Sequence, residues 1–141
     1  MKNKTRSIAI SALIAAMYIV LTFLVAPIAF GPIQFRISEA LTVLPLFAFT
    51  AVPGLTIGCF LANLLGLFLG QTVLWDLLFG TLATLLAALL TYEVGKCFGK
   101  KVQCVLGPLA PVICNALIVG AEIALFFTEG DATFPIFIFG V

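Results

Sequence analysis

One polar stretch interrupts a strongly apolar sequence: Phe30-Gly31-Pro32-Ile33-Gln34-Phe35-Arg36-Ile37-Ser38-Glu39. The pair Gly31-Pro32 stops any helix that precedes it, because proline lacks the backbone donor that a continuing helix needs. Ser38 and Glu39 are typical of a helix start, where a serine caps the first amides and an acid faces the positive end of the helix dipole. The stretch therefore predicts a loop between two apolar helices.

The polar side chains of this loop have two interpretations. Gln34, Arg36 and Glu39 bring an amide, a guanidinium and a carboxylate together, which favours contact with a ligand at one face of a membrane. Alternatively, Arg36 and Glu39, three residues apart, neutralise each other at the helix start. The loop sequence by itself leaves both interpretations open.

The composition excludes a soluble globular protein. The chain has 141 residues, of which 63% are hydrophobic and 9% charged, and its mean hydropathy is +1.29. Too few polar residues remain to cover a soluble surface, so the sequence predicts an all-α integral membrane protein of one domain. The net charge of +1 gives no electrostatic basis for a nucleic-acid partner.

The residue types argue against enzyme chemistry and against a metal or other cofactor. The chain has no histidine, and none of its four cysteines forms a C-x-x-C pair. It also has no Gly-x-Ser-x-Gly motif and no phosphate-binding glycine loop. Neither nucleophilic catalysis nor ATP hydrolysis by this chain is therefore expected.

Apolar runs predict a bundle of five membrane spans and the start of a sixth. The runs cover about 7–26, 38–51, 55–70, 76–94 and 108–127, followed by 134–141. The first run has the roughly 20 residues that a spanning helix needs, which is too long for a signal peptide. Pro45 is expected to kink or split the second span. The last run has only eight residues, so we interpret it as a truncated or re-entrant sixth helix.

The basic residues predict the orientation of the spans. Six of the seven fall on one side of this topology: Lys2, Lys4, Arg6, Lys96, Lys100 and Lys101. Arg36 falls on the other side, together with four acids: Glu39, Asp76, Glu129 and Asp131. By the positive-inside rule, the N-terminus is cytoplasmic and the polar loop faces the exterior.

Further polar or aromatic residues lie within or beside the spans: Asn63, Trp75, Asn115 and Glu122. Asn115 and Glu122 are seven residues apart, so they share one helix face. Glu122 lies about 9 Å below the end of its span, at the rise of an α-helix. An unpaired carboxylate at that depth is energetically expensive, which favours a functional role.

Each of these residues also has a purely structural interpretation. Asn63 can hydrogen-bond between helices, Trp75 can anchor at the membrane interface, and Glu122 can pair with an arginine such as Arg36. As a binding site, the candidate set is Gln34, Arg36, Glu39, Asn63, Trp75, Asn115 and Glu122. Such a set suits a flat small molecule rich in hydrogen-bonding groups, because carboxylates and amides can bind paired donors and acceptors.

The first span carries two overlapping small-x-x-x-small pairs, Ser11 with Ala15 and Ala12 with Ala16. Small side chains at this spacing let another helix approach closely. That helix belongs either to the same chain or to a partner protein, and the sequence leaves the choice open.

The polar loop and the residues after it resemble a known transporter family. The loop stretch continues as Ala40-Leu41-Thr42-Val43-Leu44-Pro45 and is followed by Pro53-Gly54-Leu55-Thr56-Ile57-Gly58-Cys59. This string is similar to the queuosine-precursor transporter (QueT) family, and the similarity in order and spacing runs from the first span to Phe134-Pro135. Members of that family are substrate-binding S-components of energy-coupling factor (ECF) transporters.

The resemblance implies a bundle of six helices in a bacterial plasma membrane, with a pocket near the outer face. It implies capture of 7-aminomethyl-7-deazaguanine (pre-queuosine-1), or a close deazapurine, and docking on one transmembrane coupling protein with two ATPases. The residues that would contact the coupling protein are Ser11, Ala12, Ala15 and Ala16. Transport would then follow from reorientation of the whole S-component in the bilayer.

Within this resemblance, individual roles are expectations. We expect Glu122 and Asn115 to bind the base, and either Glu39 or Glu122 to pair with the aminomethyl cation. Arg36 would orient a carboxylate or cap the loop. Two alternatives stay open: an S-component for another vitamin, and a structural or assembly membrane protein that binds no ligand.

Overall fold

The computed structural model describes residues 2–26, 37–72 and 74–126. Within these ranges the chain forms one 3-10 helix, η1, and four α-helices. In chain order they are α1 (Lys2–Leu24), η1 (Ile37–Leu46), α2 (Ala51–Phe68), α3 (Leu74–Cys97) and α4 (Lys100–Phe126). Residues 30–36 of the predicted loop and the last apolar run, 134–141, lie outside the described residues.

All four α-helices contain a segment long and apolar enough to cross a membrane. These segments are Asn3–Leu24, Ala51–Phe68, Leu77–Cys97 and Lys100–Ile118. No residue in the described ranges belongs to a strand. The prediction of an all-α membrane protein is therefore confirmed.

Small residues bring α1 and α2 into close parallel contact. A Cβ atom added at Gly54 would lie 2.7 Å from the carbonyl oxygen of Ser11, and one added at Gly58 would lie 3.0 Å from Cα of Ala15. The two contacts advance by four residues on both helices, so the helices run in the same direction. Ser11 Oγ also donates to the carbonyl oxygen of Thr50, 2.7 Å away and just before α2. Small residues at helix contacts allow this backbone approach.

The other two α-helices follow after short turns and run in alternating directions. Cys59 Sγ on α2 lies 3.6 Å from the carbonyl oxygen of Gly80 on α3, and Thr91 Oγ1 on α3 lies 3.5 Å from that of Gly107 on α4. The start of α1, the end of α3 and the start of α4 therefore meet at one end of the bundle. This basic end carries every basic residue in the described ranges: Lys2, Lys4, Arg6, Lys96, Lys100 and Lys101.

The 3-10 helix η1 packs against all four α-helices. At its end, a Cβ atom added at Gly95 on α3 would lie 2.8 Å from the carbonyl oxygen of Leu46. One added at Gly107 on α4 would lie 2.6 Å from Cδ1 of the same leucine. These two glycines therefore make the space that η1 occupies beside α3 and α4.

The second apolar run differs from the kinked span predicted over 38–51. It forms a 3-10 helix of ten residues, and at about 2 Å of rise per residue this covers roughly 20 Å, less than a hydrocarbon core of about 30 Å. Pro45 lies inside this helix and is buried. It supplies one physical reason for the difference, since proline lacks an amide hydrogen and disfavours the α-helical conformation of the residue before it.

The fifth predicted span also begins earlier than expected. α4 starts at Lys100 and contains Pro108, whereas the sequence predicts a helix start at that proline. Gln103 gives a physical reason, because its Nε2 donates to the carbonyl oxygen of Gly95 at 2.9 Å. This bond ties the first turn of α4 to the last turn of α3 and satisfies a carbonyl there. Proline inside a membrane helix is tolerated where neighbouring groups satisfy the freed backbone.

Adding one methyl group at Gly58 is expected to destabilise the protein. In Gly58→Ala the new Cβ would lie 2.8 Å from Tyr18 Cβ and 3.0 Å from Ala15 Cα, atoms that cannot rotate away, so α1 and α2 must separate. Overpacking costs about 1–3 kcal/mol, more than the roughly 1 kcal/mol that alanine contributes to a helix over glycine. Thermal unfolding in detergent measures the difference. Gly99→Ala is the control, because nothing lies within 4 Å of the added atom; equal melting temperatures for the two variants would contradict the close packing.

Candidate functional site

Four buried polar side chains and the half-buried Glu39 form a first group between α1 and η1, which we call the Glu39 cluster: Tyr18, Thr22, Ser38, Glu39 and Thr42. Tyr18 donates its hydroxyl hydrogen to Glu39 Oε1 at 2.8 Å. Thr22 Oγ1 and Ser38 Oγ are also 2.8 Å apart, and Thr42 donates to the carbonyl oxygen of Glu39. Tyr18 and Thr22 are one helical turn apart on the same face of α1. Two successive residues of η1 are therefore tied to two successive turns of α1.

The Glu39 carboxylate has one oxygen that these contacts leave unused. Its Oε2 atom is buried, and within the described ranges it has no hydrogen-bond partner. A carboxylate oxygen removed from water without a donor is costly, more so when the carboxylate is ionised. The geometry therefore leaves Oε2 available to a cation or an N–H donor from outside the described residues.

A second polar group lies between α2 and α3, and we call it the Asn63 cluster: Cys59, Asn63, Gly80 and Thr84. Asn63 Nδ2 donates to Cys59 Sγ at 3.6 Å. Thr84 Oγ1 lies 3.2 Å from the same sulfur and 3.0 Å from the carbonyl oxygen of Gly80. Cys59, Asn63 and Thr84 are all fully buried. This group joins α2 to α3 by side-chain hydrogen bonds, as small polar residues do in membrane bundles.

The structure describes the side chains of four of the predicted site residues but not those of the other three. Asn63 is fully buried, whereas Trp75 is 43% exposed, with its ring centroid 6.5 Å from that of Phe79. Glu39 and Asn115 are half-buried. The backbone of Glu122 belongs to α4, but its side chain lies outside the description, as do Gln34 and Arg36 entirely. That these residues line one pocket stays a prediction.

The two small-residue pairs on α1 separate onto different faces. Ser11 and Ala15 pack against Gly54 and Gly58 of α2. Ala12 and Ala16 are exposed on the surface of α1. The pair Ser11 and Ala15 thus packs within the chain, and the pair Ala12 and Ala16 is available to a partner.

Tyr18 and Thr22, which hold Glu39 and Ser38, are not among the residues predicted from the sequence. Their signal was present, since a hydroxyl recurs at an interval of four residues inside an otherwise apolar run. Thr84, whose hydroxyl contacts Cys59, is also absent from the predicted residues. Threonine is common in membrane helices because it can bond its own backbone, so only the packing of α2 on α3 distinguishes this one.

The acidic residues and cysteines in the described part of the chain make no metal centre. Nowhere in the described ranges do three or more of the side chains of histidine, cysteine, aspartate or glutamate come together. Cys97 is exposed and Cys114 is buried. The chemistry available in the two clusters is therefore hydrogen bonding and charge pairing.

Comparisons with known proteins identify the family. A family model described as "QueT transporter" matches residues 8–141. The queuosine precursor transporter QueT of Lactococcus lactis subsp. cremoris (strain MG1363) is 40% identical over 87 residues, covering 60% of this chain and 48% of that relative. The match thus spans about half the length of the relative. No solved structure matches the chain. Because the family match covers most of its residues, the chain belongs to the QueT transporter family.

Proposed function

We propose that this chain is the substrate-binding S-component of an ECF-type transporter in a bacterial plasma membrane. It captures a queuosine precursor, 7-aminomethyl-7-deazaguanine, for import. The family match over residues 8–141 carries the proposal, supported by the relative that is named as a queuosine precursor transporter. The sequence has no phosphate-binding glycine loop, so ATP hydrolysis is assigned to two partner ATPases bound through a coupling protein.

The distribution of basic residues supports a cytoplasmic N-terminus. The basic end gathers the starts of α1 and α4 with the end of α3, and basic residues are retained on the cytoplasmic side of membrane proteins. Tyr18 and Asn63 lie beyond the midpoints of α1 and α2, away from the basic end. In this orientation, a ligand from outside the cell reaches the two polar clusters without crossing the whole bilayer.

The substrate offers a flat base with paired donors and acceptors, together with one ammonium group. Glu39 supplies a carboxylate with a buried oxygen, Oε2, that has no partner in the described part of the chain. Asn115 and Glu122 lie seven residues apart on α4. We assign Asn115 and Glu122 to the base and either Glu39 or Glu122 to the ammonium group. The remaining proposed contacts are Gln34, Arg36, Asn63 and Trp75.

The test of this function is ligand binding to the purified protein in detergent by titration calorimetry. The ligands are 7-aminomethyl-7-deazaguanine, its nitrile precursor, guanine, thiamine, riboflavin and biotin. We expect tight, saturable binding of 7-aminomethyl-7-deazaguanine and weak or no binding of the vitamins. Among these ligands, only 7-aminomethyl-7-deazaguanine offers both a guanine-like edge and an aminomethyl group. Tight binding of a vitamin instead would keep the S-component and reject this substrate. Absence of saturable binding would favour a structural membrane protein.

Replacing Glu122 by glutamine is expected to abolish tight binding of the deazaguanine. The change keeps the side-chain size and removes the charge, and a hydrogen bond to a charged group is worth about 1.5–3 kcal/mol, or about 10- to 100-fold in affinity. Titration calorimetry compares the variant with the parent protein. Glu93→Gln is the control, because Glu93 is exposed and its Oε1 lies 3.8 Å from Lys96 Nζ at the basic end. Unchanged affinity in Glu122→Gln would remove this residue from the site.

The exposed face of α1 is the proposed docking surface for the coupling protein. Ala12 and Ala16 are exposed, whereas Ser11 and Ala15 are occupied by α2. Among the four small residues predicted to dock, Ala12 and Ala16 therefore make the direct contacts, and Ser11 and Ala15 fix the helix that presents them.

A larger side chain at Ala16 is expected to weaken complex formation without affecting ligand binding. Ala16→Leu adds volume where a partner helix must approach closely, so less coupling protein should co-purify with the variant. Ala48→Leu, at an exposed alanine between η1 and α2, is the matched control. Equal co-purification of both variants would contradict docking on this face.

A further inference from the structure

Tyr18 is a buried tyrosine whose hydroxyl donates a hydrogen bond to a carboxylate. Its side chain is fully buried, and its Cβ lies against Gly58 of α2. Its hydroxyl donates to Glu39 Oε1 at 2.8 Å. The close contact with α2 fixes the ring, and the ring in turn fixes the position of one carboxylate oxygen.

The residue before Glu39 is held by the same helix. Ser38 Oγ lies 2.8 Å from Thr22 Oγ1, and Thr22 in turn donates to the carbonyl oxygen of Tyr18 at 2.9 Å. Both Thr22 and Ser38 are fully buried. α1 therefore holds the side chains of both Ser38 and Glu39 at the start of η1. This limits where Oε2 of Glu39 can lie.

A phenol hydroxyl orients a carboxylate without neutralising it. A lysine or arginine at the same place would pair with the negative charge and compete with a cationic ligand. Because Tyr18 is a neutral donor, it brings no positive charge that would compete with a cationic partner at Oε2. That oxygen is buried and has no hydrogen-bond partner within the described ranges.

We propose that Tyr18 is a positioning residue: it holds the Glu39 carboxylate by Oε1 so that Oε2 binds the ammonium group of an amine-bearing ligand. This inference rests on the proposed function, since it assigns Glu39 to the substrate's amine. It adds a specificity-determining role for α1. The chain then distinguishes an aminomethyl group from a neutral group at the same position of the base.

The test removes the hydroxyl alone and compares two ligands that share one base. Tyr18→Phe keeps the ring against α2, and titration calorimetry measures its affinity for 7-aminomethyl-7-deazaguanine and for the neutral nitrile precursor. We expect the amine to bind about 10- to 100-fold more weakly, as for the loss of a hydrogen bond to a charged group. The nitrile should change by less than about threefold. In a Glu39→Gln background, Tyr18→Phe should have no further effect on the amine, as in a closed double-mutant cycle.

Two variants serve as matched controls. Tyr92→Phe removes the other tyrosine hydroxyl of the chain, from a ring that packs edge-on against Phe49 at 5.0 Å between centroids. Thr91→Val removes a buried hydroxyl between α3 and α4, where Thr91 Oγ1 lies 3.5 Å from the carbonyl oxygen of Gly107. Both should retain the parent protein's ratio of amine to nitrile affinity.

The outcomes separate this inference from the function on which it rests. Equal weakening of both ligands in Tyr18→Phe, or no change in either, would overturn the positioning role while leaving the transporter function intact. Failure of the parent protein to bind either ligand would overturn the proposed function itself.

A final comparison tests Arg36 as the partner of Oε2. Thermal unfolding without ligand is measured for Glu39→Gln, Arg36→Gln and the double variant. If the two single variants lose similar stability and the double variant loses no more, Oε2 pairs with Arg36 and the proposal is overturned. Additive effects support an oxygen that is available to the ligand.

Discussion

Buried polar groups need hydrogen-bond partners inside the protein, and this constraint organises the structure. Hydrocarbon offers no hydrogen bonds, so the buried polar side chains of the bundle bond to a neighbouring element or to groups of their own helix. Tyr18 and Thr22 meet this need for Glu39 and Ser38, and in doing so attach η1 to α1. Close packing of Gly54 and Gly58 on α1 then brings α2 against the same helix. The 3-10 helix is stable as a connection because the helices around it supply these contacts.

α1 thus has two faces with different environments. One face carries Ser11, Ala15 and Tyr18, which contact α2 or η1. The other exposes Ala12 and Ala16. Under the proposed function, one helix positions a ligand-binding carboxylate on its inner face and docks the partner on its outer face.

The sequence was sufficient for the fold class because apolar run length is a strong signal for a membrane helix. The sequence did not predict η1, because a short apolar run looks the same whether it forms an α-helix or a 3-10 helix. The start of α4 also depended on a tertiary bond, that of Gln103 to Gly95. Asn63 was identified from the sequence as an amide that can hydrogen-bond between helices, because it lies within an apolar run. Tyr18 was not, because its importance comes from Glu39, which is 21 residues away in the chain.

The most direct test of the account is an experimental structure of the protein with 7-aminomethyl-7-deazaguanine bound. We expect the ligand's ammonium nitrogen to lie within about 3 Å of a carboxylate oxygen of Glu39 or Glu122, the usual distance for a charged hydrogen bond, with the base inside the bundle. A ligand bound only at the outer surface, with Glu39 Oε2 paired to Arg36, would contradict a capture site built on these two carboxylates.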